Sequence, residues 1–177
     1  VERYGMDGEG VSKTPEGIIV FIPYALIGER VRVQITFIKK SFAKARVVKV
    51  LEASPDRVTP VCADFFKCGG CTLMHIKPEL HQKIKCDNII NDFKKTADTD
   101  VRVGSFISFD QLYYRNKVQL PIAFLDGLVT VGYYKEKSHT VVPFKKCWLH
   151  GAWAGKLITA FLDWANTNKI RVYDEQK

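Results

Sequence analysis

The sequence lacks a long hydrophobic run. Its longest uninterrupted apolar stretch covers residues 17–22, whereas a membrane-spanning helix needs roughly 20 such residues. The chain also opens without the basic and apolar segments of a secretory signal peptide. We therefore expect a cytoplasmic protein with no membrane partner. Because the first residue is Val1 rather than methionine, we also expect the 177 residues to belong to a longer protein.

The sequence also lacks the common catalytic motifs. It contains no phosphate-binding loop, no G-x-S-x-G nucleophile elbow and no H-E-x-x-H metal motif. The segment Gly8-Glu9-Gly10 precedes strand-forming residues and Pro15 rather than a helix, so it is not a dinucleotide-binding fingerprint. These motifs therefore provide no candidate catalytic residue.

Acidic residues are scarce relative to basic ones. The chain has 27 Lys and Arg residues against 19 Asp and Glu residues, which gives a net charge of +8. Residues 30–49 contain no acid and seven cations, namely Arg30, Arg32, Lys39, Lys40, Lys44, Arg46 and Lys49. Phe37 and Phe42 flank the Lys39-Lys40 turn. Their rings would stack on bases while the lysines contact phosphates. This basic strip predicts a polyanionic partner; the alternative is a solvated surface with both phenylalanines in the core.

A second basic and aromatic segment runs from Tyr113 to Lys117, and a further one covers residues 133–135. If residues 113–122 form a strand, Arg115 and Lys117 lie on one face of it, opposite Asn116. This face is a second candidate for nucleic-acid contact, although an ordinary solvated strand face has the same pattern.

The spacing of apolar residues predicts two regions with different secondary structure. Short β-rich runs at residues 17–22, 31–38 and 42–51 predict a small OB-like β-barrel, and a turn at residues 54–57 marks its expected boundary. Beyond it we predict a helix at residues 78–95, strands at 101–107 and 113–122, a hairpin at Asp126-Gly127 and a helix starting near Trp153. The predicted fold class is mainly β with α+β: the barrel is followed by an α+β domain that carries a cysteine-ligated cluster.

Five cysteines, an odd number without a secretory signal, argue against a disulfide framework. Cys62, Cys68 and Cys71 lie within ten residues, and Gly69 with Gly70 allows a tight turn between the last two. Clustered thiolates select zinc or iron–sulfur centres. A triplet with one distant cysteine fits the ligand spacing of a [4Fe–4S] cluster better than the paired spacing of structural zinc sites. Zinc and unliganded thiols stay open as alternatives.

The fourth ligand is either Cys86 or Cys147. Cys86 lies inside the predicted helix, where a cysteine usually acts as a small buried apolar side chain. Cys147 follows Pro143 in a predicted loop, where its thiolate can turn toward a metal centre. We therefore favour Cys147. His75 is left out of the ligand set because a lone histidine near such a triplet is more often a surface or supporting residue.

Several segments resemble a known family. Residues 7–11 (DGEGV) and 20–31 (VFIPYALIGERV) resemble the TRAM domain, a small RNA-binding barrel. Residues 54–62 (SPDRVTPVC), which lead into the cysteine triplet, resemble the junction between that barrel and an iron–sulfur centre. Residues 114–119 (YRNKVQ) and 131–134 (VGYY) resemble the central domain of the RNA (uracil-5-)-methyltransferases, which make 5-methyluridine in ribosomal RNA.

The resemblance implies a [4Fe–4S] cluster on Cys62, Cys68, Cys71 and Cys147, with Cys86 as a bystander. It also implies a TRAM-like domain at residues 1–53 and an iron–sulfur central domain at residues 54–177. Family members continue into a domain that binds S-adenosylmethionine and supplies the attacking cysteine. We expect that domain to be absent from this chain. The chain would then be the RNA-binding, cluster-carrying portion of a methyltransferase acting on C5 of a ribosomal RNA uridine, and would be inactive alone.

We expect ribosomal RNA, and not DNA, to be the partner. The predicted RNA contacts come from both basic segments and are Arg32, Lys39, Lys40, Phe42, Lys44, Arg46, Arg115 and Lys117. In the family the helix after the triplet packs on the catalytic domain, so residues 78–95 would expose an apolar face open to self-association, formed by Leu80, Ile84, Ile89 and Phe93. The alternatives are a free-standing RNA-binding module with a four-cysteine zinc or iron–sulfur centre, another TRAM-containing enzyme and a zinc-binding interaction protein.

Overall fold

The structure, a computed structural model, describes residues 1–144 and 146–173. The chain divides into two compact units. The first comprises Val1–Thr59 and Thr72–Ile107, and the second comprises Pro60–Cys71 and the chain from Ser108 onward. Neither helix in the described ranges combines the length and the apolarity that crossing a bilayer requires.

The first unit contains a five-stranded sheet. Its strands are β1 (Arg3–Tyr4), β2 (Gly10–Lys13), β3 (Ile19–Ile22), β4 (Arg30–Ile38) and β5 (Phe42–Glu52). They lie in the order β1-β2-β3-β5-β4, and every neighbouring pair is antiparallel except the parallel pair β3 and β5. The three strands predicted at residues 17–22, 31–38 and 42–51 are confirmed, with boundaries shifted by one or two residues.

One face of this sheet forms the core of the first unit. Val20 and Ile22 of β3 pack with Ala43 and Ala45 of β5 and with Ala25. Between the two alanines, Lys44 is exposed, as is Arg46 beyond them. Because side chains alternate along a strand, the other face of β5 points to solvent.

The predicted closed barrel is wrong. Within the described residues, β1 pairs only with β2 and β4 pairs only with β5, so the sheet is open. Closing it would require β1 to form a ladder with β4, but β1 has two residues and β4 has nine. Too few backbone groups are therefore available in β1 to cover the edge of β4.

Helix α1 (Pro78–Ala97) belongs to the first unit. Pro78 occupies the first helical turn, where its missing N–H costs nothing, and Asp98 ends the helix in the left-handed conformation. Ile84 is buried against Leu26 and Ile76, and Leu80 packs beside them. The expected apolar face is therefore only half available, because this cluster covers Leu80 and Ile84 while Ile89 and Phe93 are exposed.

The second unit contains a three-stranded antiparallel sheet and helix α2 (Ala152–Thr167). The strands are β6 (Ile122–Leu125), β7 (Leu128–Tyr134) and β8 (Val141–Pro143). The predicted hairpin is confirmed: Asp126 and Gly127 both have positive φ, at 52° and 83°, as a type I′ turn requires. The side chain of Asn166 on α2 bonds the N–H and the C=O of Val129 on β7.

Two predicted strands are wrong. Residues 101–107 lie in no strand, and the segment at 113–122 becomes a strand only at Ile122. Tyr113 has a φ of 59°, which breaks an extended conformation. Arg115 instead forms an isolated parallel bridge with His150.

Candidate nucleic-acid interface and cysteine centre

The solvent face of β3, β4 and β5 carries three phenylalanine rings. The Phe21 and Phe42 ring centroids are 6.0 Å apart in an edge arrangement, and those of Phe37 and Phe42 are 5.9 Å apart. Phe21 and Phe42 alternate along their strands with buried core residues, and Phe37 is 44% exposed. The alternative that placed Phe37 and Phe42 in the core is therefore wrong, because the core occupies the opposite face.

Cations from the basic strip surround these rings. The Lys39 Nζ lies 5.7 Å from the Phe37 ring centroid and 5.9 Å from that of Phe42. Lys44 stands opposite Phe37 in the β4–β5 register. Arg46 donates from Nε and Nη2 to Oε1 of Gln34, at 2.9 and 2.6 Å, which orients its guanidinium. We call this surface the basic–aromatic face; it comprises Phe21, Phe37, Lys39, Phe42, Lys44 and Arg46.

The remaining cations of the strip lie around this face. Lys40 is exposed in the turn between β4 and β5, and Arg32 stands opposite Lys49 in the register. Arg30 differs because its guanidinium contacts the carboxylate of Glu52 at 3.1 Å. Its charge is therefore already balanced.

Sequence reasoning missed Phe21. It lies in an apolar run, residues 17–22, where every position looks like core. The only available signal was its place between Val20 and Ile22, because strand alternation sends it to the other face. A run without polar residues hides that alternation.

In the second unit, Arg115 and Lys117 lie near each other without being on a strand. Both line a surface cavity of about 350 Å³, together with Tyr114, Asn116, Gln119 and Tyr133. Nη1 of Arg115 donates to the Tyr133 hydroxyl at 3.0 Å, and that hydroxyl lies 2.7 Å from Nε2 of His150. Burial, followed by the charge on Arg115, lowers the pKa of His150, which favours a neutral ring whose Nε2 can accept a hydrogen bond from the Tyr133 hydroxyl.

Four of the five cysteines belong to the second unit. Cys62, Cys68, Cys71 and Cys147 lie there, whereas Cys86 lies on α1 in the first unit. Burial raises the pKa of Cys71 to about 11, and charge on Cys147, Cys68 and Cys62 contributes to that rise. Burial and charge on Cys147 and Cys62 likewise raise the pKa of Cys68. Cys68 and Cys71 therefore both lie within electrostatic range of Cys62 and Cys147.

The loop between Cys68 and Cys71 runs close against β7. The Gly69 N–H donates to the carbonyl of Tyr134 at 2.9 Å, and a Cβ on Gly69 would lie 2.7 Å from that oxygen. The Gly70 N–H donates to Sγ of Cys68 at 3.3 Å. Gly69 is thus required by close backbone approach, a different reason from the turn that the sequence suggested.

Backbone hydrogen bonds hold the segment after Cys147. The Tyr113 N–H donates to the carbonyl of Trp148 at 2.8 Å, and the Arg115 N–H donates to that of Leu149 at 2.9 Å. Lys146 Nζ lies 3.6 Å from the Trp148 ring centroid. The residues that follow Cys147 are therefore anchored to Tyr113 and Arg115.

The donor chemistry of this cysteine centre suits a soft metal, because all four candidate ligands are thiols. Across residues 1–144 and 146–173, no three His, Cys, Asp or Glu side chains lie close enough together to hold a single metal ion. Loading a metal would therefore require the thiols to lose their protons and move closer to a shared centre.

Comparison with known proteins covers the whole chain. A family model described as the TRAM domain matches residues 1–48. An uncharacterized RNA methyltransferase of Clostridium acetobutylicum is 34% identical over 179 residues, covering 99% of this chain and 39% of the relative. One from Halalkalibacterium halodurans is also 34% identical and covers 100% of this chain and 39% of the relative. The chain therefore spans 39% of the length of these relatives.

A solved structure shares the fold. The Pyrococcus abyssi tRNA (uracil-54, C5)-methyltransferase in complex with S-adenosyl-L-homocysteine matches with a TM-score of 0.64 and 22% identity. The match covers 98% of this chain and 37% of that one. The family model identifies a TRAM domain at residues 1–48. Over its whole length the chain is similar to RNA methyltransferases, which confirms the TRAM and RNA-methyltransferase parts of the resemblance drawn from its motifs.

Proposed function

We propose that this chain is the RNA-binding portion of an S-adenosylmethionine-dependent methyltransferase that acts on C5 of a uridine in ribosomal RNA. The observation that carries the proposal is the basic–aromatic face, which joins cations for phosphates to rings for bases. Since the chain spans 39% of its relatives, we assign the methyl-donor site and the catalytic groups to the rest of the parent enzyme. This chain alone would bind RNA without methylating it.

The arrangement of the basic–aromatic face favours single-stranded or looped RNA. Lys39, Lys44 and Arg46 would contact phosphates, with Arg32 and Lys40 extending the track. Unstacked bases would pack on Phe37 and Phe42, since any base can stack on an aromatic ring for about 1–3 kcal/mol. Such contacts hold RNA with little regard to sequence, and specificity would come from loops whose bases are turned outward.

Arg115 and Lys117 form the second part of the proposed interface. Their shared cavity brings two cations to one place on the second unit. Hydrogen bonding to Tyr133 orients the Arg115 guanidinium at that place. We assign both residues to RNA contact.

We further propose that Cys62, Cys68, Cys71 and Cys147 bind a [4Fe–4S] cluster. The proposal is supported by the all-thiol donor set and by the raised pKa of Cys68 and of Cys71, to which burial contributes most and charge on the other cysteines contributes further. When bound, the cluster would cross-link the loop at residues 62–71 to the segment that Trp148 anchors. The protein's own part is to hold the two segments in place through Gly69 and through the backbone bonds of Tyr113 and Arg115.

The salt dependence of RNA binding tests the main proposal. We would replace Lys44 and Arg46 together by alanine and measure binding of a single-stranded RNA by fluorescence anisotropy at several salt concentrations. The loss of two phosphate contacts should weaken binding and reduce the slope of log K against log salt by roughly 1.4. The matched control replaces Lys85 and Lys95, two exposed lysines of α1, by alanine.

Equal effects of the two double variants would contradict the proposal, because they would reflect net charge alone.

A second comparison tests whether the RNA partner is ribosomal. We expect tighter binding to fragments of ribosomal RNA than to unmodified tRNA transcripts. A preference for tRNA would overturn the ribosomal assignment and leave the RNA-binding assignment intact.

A further inference from the structure

The cavity of the second unit has a lining suited to one unstacked nucleotide. Its volume of about 350 Å³ lies at the lower end of the roughly 300–1,000 Å³ of small-ligand pockets. We propose that it binds a single RNA nucleotide and distinguishes the base through the amides of Asn116 and Gln119. The inference rests on the proposed RNA-binding function and extends it from general RNA binding to recognition of one base.

The phosphate end of the cavity is already organised. Arg115 donates to the Tyr133 hydroxyl at 3.0 Å, and that hydroxyl contacts His150 at 2.7 Å. The Tyr133 ring stacks on Phe144 with centroids 5.7 Å apart and an interplanar angle of 25°. A cation held in this way loses little conformational freedom when an anion arrives, which lowers the cost of binding.

Charge within the cavity favours an anion. Its six lining residues include the cations Arg115 and Lys117 and no acid. Partial burial opposes the charge on Arg115, but hydrogen bonding with the Tyr114 and Tyr133 hydroxyls outweighs it and raises the pKa of the guanidinium. A phosphate would therefore meet a permanent positive charge beside an exposed lysine.

The amides of Asn116 and Gln119 can both donate and accept hydrogen bonds. An Asn or Gln side chain offers a donor and an acceptor side by side, which matches the hydrogen-bonding edge of a base, whereas Arg and Lys only donate. Asn116 and Gln119 are both exposed at the cavity. Tyr114, which is 56% exposed, adds a ring on which the base can stack.

The basic–aromatic face differs from the cavity because its nearby amide, Gln34, already accepts two hydrogen bonds from Arg46 through Oε1. That face would therefore hold RNA without selecting a base. The two surfaces have separable roles, affinity on the sheet of the first unit and base selection in the cavity of the second.

The test uses the full 177-residue chain and four fluorescein-labelled RNA pentamers, each oligouridine with A, C, G or U at the centre. We expect the affinities for the best and the worst central base to differ by roughly 5- to 100-fold, as one amide–base pair provides. In the Asn116→Ala, Gln119→Ala double variant this ratio should fall below about twofold, mainly through weaker binding of the preferred pentamer. Gln111→Ala removes an exposed amide of the same unit that is not in the cavity lining, and should leave the ratio unchanged.

Two outcomes would overturn the inference: equal binding of all four pentamers by the unmodified chain, or an unchanged ratio in the double variant. Failure of the proposed function has a different signature. If replacing Lys44 and Arg46 by alanine leaves every affinity unaltered, the basic–aromatic face does not bind RNA, whatever the cavity does. If both proposals hold, that variant weakens RNA binding but still prefers the same central base.

Discussion

The buried carboxylate of Glu29 accepts hydrogen bonds from both Nε and Nη2 of Arg57, which joins the residue before β4 to the segment after β5. The Glu29 side chain is 0% exposed and that of Arg57 is 20% exposed. The backbone N–H groups of Leu26 and Ser54 also donate to Glu29. Burial opposes the charge, but these hydrogen bonds, led by Arg57, outweigh it and lower the pKa of the Glu29 carboxyl.

Replacing Arg57 should therefore destabilise the first unit strongly. Arg57→Ala leaves a buried carboxylate without its partner, and we expect a loss of about 3–5 kcal/mol in the free energy of unfolding. The matched control is Arg30→Ala, which breaks an ion pair whose side chains are 73% and 67% exposed and should cost less than about 1 kcal/mol. Urea unfolding followed by circular dichroism measures both losses. Similar losses would show that the buried Glu29–Arg57 pair contributes no more to stability than the exposed Arg30–Glu52 pair.

His75 should make stability depend on pH. It is 1% exposed, and burial, followed by the charge on Arg57, lowers its pKa from 6.5 to about 4. Between those values the unfolded chain binds a proton that the folded chain does not, so the free energy of unfolding falls as pH falls from 6.5 toward 4.

The measurement is the urea midpoint at pH 7, 6 and 5, at constant ionic strength, for the unmodified chain and for His75→Gln. The variant should show a flatter dependence whatever its absolute stability. The lowered pKa of Glu29 has its effect below the ordinary value of 4.5 and leaves this window unaffected. Parallel curves for the two proteins would rule out His75 as the source.

The cysteine assignment predicts four equivalent losses and one neutral change. Replacing Cys62, Cys68, Cys71 or Cys147 singly by serine should abolish the iron and sulfide bound after anaerobic reconstitution, together with the broad absorption near ~400 nm expected of a [4Fe–4S] centre. Cys86→Ser should retain both, because Cys86 lies on α1 in the other unit. Stoichiometric zinc without sulfide would instead support the alternative of a four-cysteine zinc site.

Two glycine-to-alanine substitutions should change the free energy of unfolding in opposite directions. Gly69→Ala places a Cβ 2.7 Å from the carbonyl oxygen of Tyr134 and 3.0 Å from the N of Glu136, and backbone cannot yield cheaply, so we expect a loss of about 1–3 kcal/mol. Gly155 lies inside α2 with nothing within 4 Å of an added Cβ. Gly155→Ala should therefore stabilise by about 0.5–1 kcal/mol. Thermal unfolding compares them, and stabilisation by both would contradict the close approach at Gly69.

The elements that sequence reasoning identified correctly are those whose signals are local. The Asp126-Gly127 hairpin depends on two residues that tolerate positive φ, and helix α1 depends on apolar spacing after Pro78. The strand expected at residues 113–122 failed for the opposite reason. Before Ile122 it forms an isolated bridge from Arg115 to His150 instead of a strand, and a contact between positions so distant in sequence leaves no mark in local periodicity.

By itself the sequence determined the basic strip, the cysteine spacing, the TRAM-like motifs and, through these, the likeness to RNA methyltransferases. Tertiary structure decided which surfaces those residues form. It placed Phe21, Phe37 and Phe42 together on the solvent face and covered half of the α1 apolar stripe. It also joined residues 114–117 and Gln119 to Tyr133 around one cavity. Residue spacing depends only on the order of residues along the chain. Which residues share a sheet face or line a cavity depends on how segments distant in sequence pair and pack.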